Sequence, residues 1–272
     1  MIYVPVGNAW PDTDGSKRGG DNLYTASVVA LDLKTGAYRW HFQEVHHDVW
    51  DYDNAASPVL ADITYQGRPR KILIHAGKTG FTYILDRTNG KPLVGIDEKP
   101  VPQEERMKTA KTQPYPVGDS FVPTCPEPDS VPPGMKEACV FGAYWDAPVV
   151  IAPGTLGGVS GAPMTFSSRT GLLYVPGAIT VPLFTLGGGF VRPTNEPRSG
   201  TLTAINPTTN KIVWQKRMKF PIAAGSGLLS TASGLIFHGE PDGRLVAYDI
   251  KNGNELWSFQ TGAGADAPAI TY

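Results

Sequence analysis

An eleven-residue pattern that returns at identical internal offsets limits this chain to repeat architectures. Ala30, Asp32, Gly36 and Trp40 in ALDLKTGAYRW recur as Ala204, Asn206, Asn210 and Trp214 in AINPTTNKIVW, and again as Ala247, Asp249, Gly253 and Trp257 in AYDIKNGNELW. A degenerate copy, ILDRTNGKPLV, keeps Asp86 and Gly90 in register and has Val94 where the others have tryptophan. Each copy reads as strand, tight turn, strand: the Asp or Asn opens the turn through its side chain, and Gly or Asn accepts the positive φ that closes it. Further hairpins are predicted in SPVLADITYQGRPRKILIHAG, GAPMTFSSRTGLLYVPGA and GLLSTASGLIFHG. Two successive hairpins make a four-stranded antiparallel sheet, and sheets of this size in series are the blades of a β-propeller.

The expected fold is therefore an all-β propeller of four-stranded antiparallel blades with tryptophan repeats. About three blades are complete, over 57–95, 160–217 and 228–262, with a partial blade at each end: 1–43, which enters at its second strand, and APAITY, 267–272. Such a chain leaves unpaired strand edges at both ends, which soluble proteins avoid, so it reads as a fragment of one propeller domain spanning 1–272. Residues 96–159, rich in proline, form one long insertion between blades.

Composition narrows the partners. Among 272 residues the formal net charge is -1, with no basic stripe or polybasic cluster, so nucleic acid and anionic membranes are set aside. No apolar run is long enough to span a bilayer, and the opening MIYVPVGNAW alternates like a strand rather than a secretory leader. Cys125 and Cys139 stand fourteen positions apart, a spacing compatible with a disulfide or with two free thiols. The absence of C-x-x-C-H excludes c-type haem attachment within these residues.

The chemistry concentrates in EVHHDVWDYDN, residues 44–54, where two histidines, three aspartates and a tryptophan fill a connection between predicted strands. A plain loop needs turn formers, whereas carboxylates and imidazoles beside aromatics suit a cation or a proton transfer. With blade strands lettered A to D, the B–C loops and the connections between blades emerge at the same end of an antiparallel sheet. Asn8 after the first B strand, Asp51 in the first inter-blade connection and Lys78 after KILIHAG therefore meet at one face. Asn and Asp oxygens suit calcium or a similar hard cation rather than zinc. Asp51 and Asp53 share a side if the segment is extended.

The run WHFQ followed by HHDVWDYD, the GKTG containing Lys78, the ILDRTNGKPLV after it and the tryptophan repeats together resemble the pyrroloquinoline quinone (PQQ)-dependent dehydrogenases, closest to the alcohol and membrane glucose dehydrogenase branches. The resemblance implies an eight-bladed propeller, of which this chain is the C-terminal half, and oxidation of an alcohol or sugar at PQQ beside calcium or another divalent or lanthanide cation. It implies that Asp51 is the general base and a metal neighbour, that Asn8 is a metal ligand and that Lys78 hydrogen-bonds the quinone. A carboxylate at Asp53 occurs in lanthanide-using relatives and in calcium- or magnesium-using ones, which leaves the metal open. The resemblance also implies a periplasmic location and ubiquinone or cytochrome c as electron acceptor. The family's other metal carboxylate, its quinone-stacking tryptophan and its vicinal disulfide belong to the missing N-terminal half of the propeller, so the fragment alone is expected to be inactive.

Plainer readings accompany each residue. Asp51 could cap a turn or pair with Lys78, and the G-N of Asn8 is a common turn. His46 and His47 point apart on an extended segment, which fits structural hydrogen bonding or substrate-side lining better than metal ligation. Trp40, Trp214 and Trp257 recur in every repeat, which fits packing between blades better than contact with one ligand. From the repeats alone, a non-catalytic propeller that binds other proteins is the alternative to an enzyme.

Overall fold

The computed structural model describes every residue except 186–188, 192–197, 223, 224 and 272. The first blade consists of β1 (Ile2–Val6), β2 (Ser27–Leu31) and β3 (Tyr38–Gln43), paired antiparallel in that order. The second holds β4 (Val59–Tyr65), β5 (Arg68–Ala76) and β6 (Thr82–Asp86). Its fourth position, expected as a strand, is a single bridge between Leu85 and Pro92, where proline brings no N–H to a ladder.

The connection over 96–159 has structure of its own. It begins with a hairpin of β7 (Ile96–Pro100) and β8 (Thr112–Pro116), followed by β9 (Lys136–Ala138) running parallel to β10 (Val149–Ile151). The third blade starts with β11 (Thr165–Ser167) and β12 (Leu172–Ile179). An excursion through β13 (Leu183–Thr185) and β14 (Gly189–Val191) then joins β10 and β9 in a separate sheet. The third blade is completed by β15 (Ser199–Asn206) and β16 (Lys211–Met218). The fourth is β17 (Leu229–Ser230), β18 (Leu235–Gly239), β19 (Arg244–Asp249) and β20 (Glu255–Gln260). Residues 267–271 form no strand, and Tyr272 lies outside the described residues. Among the described residues no helix is long and apolar enough to cross a membrane.

The repeat explains itself in three dimensions. Asp32, Asp86, Asn206 and Asp249 each accept the backbone N–H two positions on through Oδ1, at 2.8 to 3.0 Å, and the Gly or Asn four positions on donates its N–H back to their carbonyl. The repeat's alanine lies directly across the ladder from its tryptophan, as Ala30–Trp40, Ala204–Trp214 and Ala247–Trp257, with a register shift immediately after the alanine each time. A small side chain there leaves room for the indole.

The indole in turn reaches the next blade. A Cβ on Gly90 would collide with the Trp40 ring, and one on Gly253 with the Trp214 ring. In the degenerate copy both partners change together: Val94 replaces the tryptophan, and the next turn carries Asn210, at φ 55°, instead of glycine. Asn210 uses its side chain to donate to the Thr82 and Val117 carbonyls, at 3.0 and 3.1 Å. Trp257 is the exception to inter-blade packing. It is 49% exposed and stacks on Phe259, while a Cβ on Gly36 would meet nothing.

The apolar core consequently lies between blade faces rather than at one centre. Val28, Ala30 and Trp40 pack on Leu73 and Leu85; Ile72, Ile74 and Ile84 on Leu173 and Val175; Tyr174, Leu202 and Ala204 on Val246 and Tyr248.

Cys125 and Cys139 are joined in a disulfide, and no cysteine is free. The bridge closes a fourteen-residue separation inside the connection that packs over the segment 44–54. A closed loop of this size restricts the unfolded chain by about 3 kcal/mol. The double substitution Cys125→Ser/Cys139→Ser is expected to lower stability by about 2–4 kcal/mol, seen as a lower denaturation midpoint that dithiothreitol does not lower further.

Candidate active site

The segment 44–54 leaves β3 at Gln43 and turns inward, burying its apolar side chains against the connection. Val45, Val49, Trp50 and Tyr52 are fully buried and pack with Phe141, Tyr144 and Trp145. The Trp50 indole donates to the Gly142 carbonyl at 2.9 Å, and the Tyr52 hydroxyl to the Pro153 carbonyl at 2.6 Å. Between these two anchored rings, Asp51 sits at φ 62°. The segment is therefore not extended at residue 51, because buried anchors on both sides leave that residue a left-handed backbone, which aspartate tolerates better than most.

Asn8, Asp51, Asp53 and Lys78 come together here. Asn8 Nδ2 donates to Asp51 Oδ1 at 3.1 Å, and Lys78 Nζ lies 3.3 Å from Asp51 Oδ2 and in closer contact with Asp53 Oδ1. Two carboxylates that would repel each other instead share one ammonium group. The side chains of Asp51 and Asp53 are 17% and 18% exposed, while that of Lys78 is 8% exposed, so the lysine is the more deeply buried partner. Burial pushes the Asp51 carboxyl up to about 6, against the pull of Lys78 and with the push of Asp53. Burial works against the Lys78 charge too, but Asp51 and Asp53 outweigh it and hold the ammonium above its ordinary value. The result is a carboxylate that is ionised at neutral pH and basic enough to take a proton.

Lys78 is fixed from below by backbone. It sits in the turn between β5 and β6, and its carbonyl accepts Gly158 N–H at 2.7 Å. Gly157, at φ 61°, lies flat against the lysine stem, where a Cβ would collide with Lys78 Cα, Cβ and Cγ. Gly157→Ala therefore combines a left-handed alanine with overpacking that costs about 1–3 kcal/mol. A fall in thermal stability of this size is expected, and a melting curve superimposable on that of the parent would refute the packing.

The histidines have structural partners. His46 spans Gln43 Oε1 at 2.8 Å and Glu98 Oε1 at 3.2 Å, and His47 spans the Gly20 and Met107 carbonyls at 2.6 and 2.8 Å. Sequence reasoning passed over three further features. Asp48 is buried beneath Asp51 and accepts the N–H groups of Trp50 and Tyr52. Gly157 supports Lys78. Glu44 and His75 form a buried pair at 2.7 Å, in which the carboxylate overcomes the effect of burial and raises the imidazole above its ordinary value. Only Asp48 leaves a sequence signal, an aspartate two residues before an amide it can cap. The other two depend on contacts 31 and 79 residues apart.

The donor set is one amide and two carboxylates, all oxygen. It fits a hard cation such as calcium, which takes 6–8 oxygen ligands, and lacks the sulfur or imidazole that zinc favours. Among the described residues no three His, Cys, Asp or Glu side chains are grouped as a metal site; Asn8, Asp51 and Asp53 offer three oxygen-bearing side chains, fewer than such a cation takes.

A family model described as the glucose/ethanol/alcohol dehydrogenase β-propeller domain, the PQQ domain, matches residues 1–188. The chain belongs to the PQQ-dependent alcohol dehydrogenase family. A second model, described as outer membrane protein assembly factor BamB, matches residues 174–271. Among curated relatives, the quinohemoprotein alcohol dehydrogenase of Comamonas testosteroni is 35% identical over all of this chain and 38% of its own length. The quinoprotein alcohol dehydrogenase PedH of Pseudomonas putida is 32% identical over all of this chain and 45% of its own length. The crystal structure of the Comamonas testosteroni enzyme superposes with a TM-score of 0.74 at 31% identity, covering 98% of this chain and 40% of that one. A europium-containing methanol dehydrogenase superposes with a TM-score of 0.71 at 26% identity, covering 98% of this chain and 45% of that one. This PQQ-dehydrogenase chain thus spans about two-fifths of the length of the curated relatives it matches.

Proposed function

We propose that this chain is the C-terminal half of the propeller of a quinoprotein dehydrogenase that oxidises an alcohol, with sugars as the alternative substrate class. The observation that carries the reading is Asp51, a partly buried carboxylate raised to about 6 and fixed between Asn8 and Lys78. Family membership and the alcohol dehydrogenase relatives support it.

In this reading Asp51 is the general base. Its carboxylate accepts the proton of a substrate hydroxyl, and its raised basicity brings it within range of that proton at neutral pH. Asn8 orients Asp51 through the 3.1 Å hydrogen bond, and its amide oxygen would be available to a cation. Asp53 balances the Lys78 charge and adds a second carboxylate to the cation's surroundings. Lys78, held by Gly157 and Gly158, would offer a fixed ammonium as hydrogen-bond donor to the quinone. PQQ, when bound with calcium, another divalent ion or a lanthanide, supplies the hydride acceptor that a polypeptide lacks. The remaining coordination and stacking groups would come from the N-terminal half of the propeller.

The acceptor of the electrons is a cytochrome c or ubiquinone. One relative, from Thauera butanivorans, is a 1-butanol dehydrogenase (cytochrome c). A periplasmic location fits both the disulfide and the family.

The test is dye reduction by the full-length protein loaded with PQQ and calcium or lanthanum, comparing primary alcohols with glucose. Alcohol-dependent turnover is expected. A loaded protein that binds PQQ yet reduces no dye with any alcohol or sugar would overturn the enzyme reading in favour of a non-catalytic propeller.

A further inference from the structure

Asp48 is fully buried, yet no cation touches its carboxylate among the described residues. Arg18 reaches only its backbone carbonyl, at 3.1 Å. Burying such a group is costly unless its oxygens are satisfied. Both are, by backbone: Oδ1 accepts Trp50 N–H at 2.9 Å and Oδ2 accepts Tyr52 N–H at 2.8 Å. The two amides belong to the residues on either side of Asp51, so one carboxylate holds both flanks of the residue at φ 62°.

An ordinary turn needs no such arrangement. The repeat turns of this protein manage with a single side-chain oxygen, which in Asp32 accepts the adjacent amides of both Lys34 and Thr35. Here the two amides lie two residues apart, flank Asp51 and reach separate oxygens, Oδ1 and Oδ2, an arrangement that a carboxylate meets without turning an N–H toward either donor. The rings of Trp50 and Tyr52 hold the same two residues at their outer ends, through Gly142 and Pro153. Asp51 is therefore left with its side chain as its main freedom, and Asn8 and Lys78 take that up.

We propose that Asp48 is a positioning residue for Asp51: by accepting the amides of Trp50 and Tyr52 together, it fixes the left-handed backbone that delivers the Asp51 carboxylate to Asn8 and Lys78. The functional half of this proposal rests on Asp51 being the base. A displacement on the order of 1 Å at a reacting group can cost roughly 100-fold in rate.

The experiment uses Asp48→Asn and Asp48→Ser in the full-length protein loaded with PQQ and calcium, beside Asp51→Asn. Asp48→Asn keeps the volume and one acceptor but turns an N–H toward a donor. Asp48→Ser keeps one acceptor and guards against an Asn variant that fails to fold. For both, kcat is expected to fall about 10–100-fold with KM within about twofold of the parent, and amide exchange is expected to speed up at Tyr52, at Trp50 or at both. Parent-like kcat with intact protection of both amides overturns the proposal. So does a loss of activity that follows only the fraction of unfolded protein, because a merely structural role would leave kcat per folded molecule unchanged. If Asp51→Asn retains activity, the base reading of Asp51 fails, and the exchange rates at Trp50 and Tyr52 still decide whether Asp48 sets the turn.

Discussion

Asp51→Asn is expected to reduce alcohol-dependent turnover of the full-length, PQQ-loaded protein by about 100- to 10,000-fold, the usual contribution of a positioned general base. The substitution keeps the shape of the side chain and its contact with Asn8, so PQQ affinity should change far less than kcat. Retained turnover would remove Asp51 from the chemistry. Burial raises the Asp51 carboxyl to about 6 in the metal-free protein and a neighbouring cation would lower it, so the loaded parent is expected to lose activity with decreasing pH only below that point, as the base becomes protonated.

Stability should move the opposite way. The Asp51 carboxyl titrates near 3.8 in an unfolded chain and near 6 in the fold, and that of Asp48 near 7. Between these values the folded state binds more protons than the unfolded one. Their contribution to stability is therefore present in acid and is lost as pH rises through 6 and 7. Measured at pH 8 without added metal or PQQ, Asp51→Asn is expected to raise the melting temperature while the same substitution lowers turnover of the loaded protein, a separation of stability from activity that a simple folding defect cannot produce.

Trp40→Ala is expected to cost about 3–5 kcal/mol, the range for removing a buried large aromatic. Its ring fills the space over Gly90, where no other side chain can follow it, and it also contacts Tyr3, with ring centroids 5.7 Å apart. Trp257→Ala, at the same repeat position in the 272-residue chain, should cost far less, because the indole is 49% exposed and has no glycine turn of a following blade against it. Chemical denaturation of the two variants gives the comparison directly. Equal losses would mean that cross-strand packing on Ala30 and Ala247, rather than contact between blades, carries the tryptophan's contribution.

Asn8, Asp51 and Lys78 were legible as neighbours because strand polarity is a property of the repeat: once the blades are counted, their loops must emerge at one end. Their detailed arrangement was not. Period-two alternation puts Asp51 and Asp53 on one side of an extended strand; the two carboxylates do converge on one group, Lys78, but from a left-handed backbone at φ 62° rather than an extended one. Burial of Trp50 and Tyr52 decided that, and burial depends on Phe141 and Trp145, some ninety residues away. Likewise, spacing left Cys125 and Cys139 undecided, and proximity in the folded connection joined them.

What the sequence determined by itself was periodic or local: the hairpins, the turn residues, the alanine across from each tryptophan, and the end of the propeller where polar side chains collect. Such features follow from backbone geometry and a repeat of known offset, and need no distant partner. The tertiary structure alone decided what distant segments impose on one another. Gly157 is a glycine because the Lys78 stem occupies the place of its side chain. Asp48 is a buried carboxylate because two amides of a pinned turn both point at it. Asp51 is raised toward neutral pH because packing removes water from it faster than Lys78 can compensate.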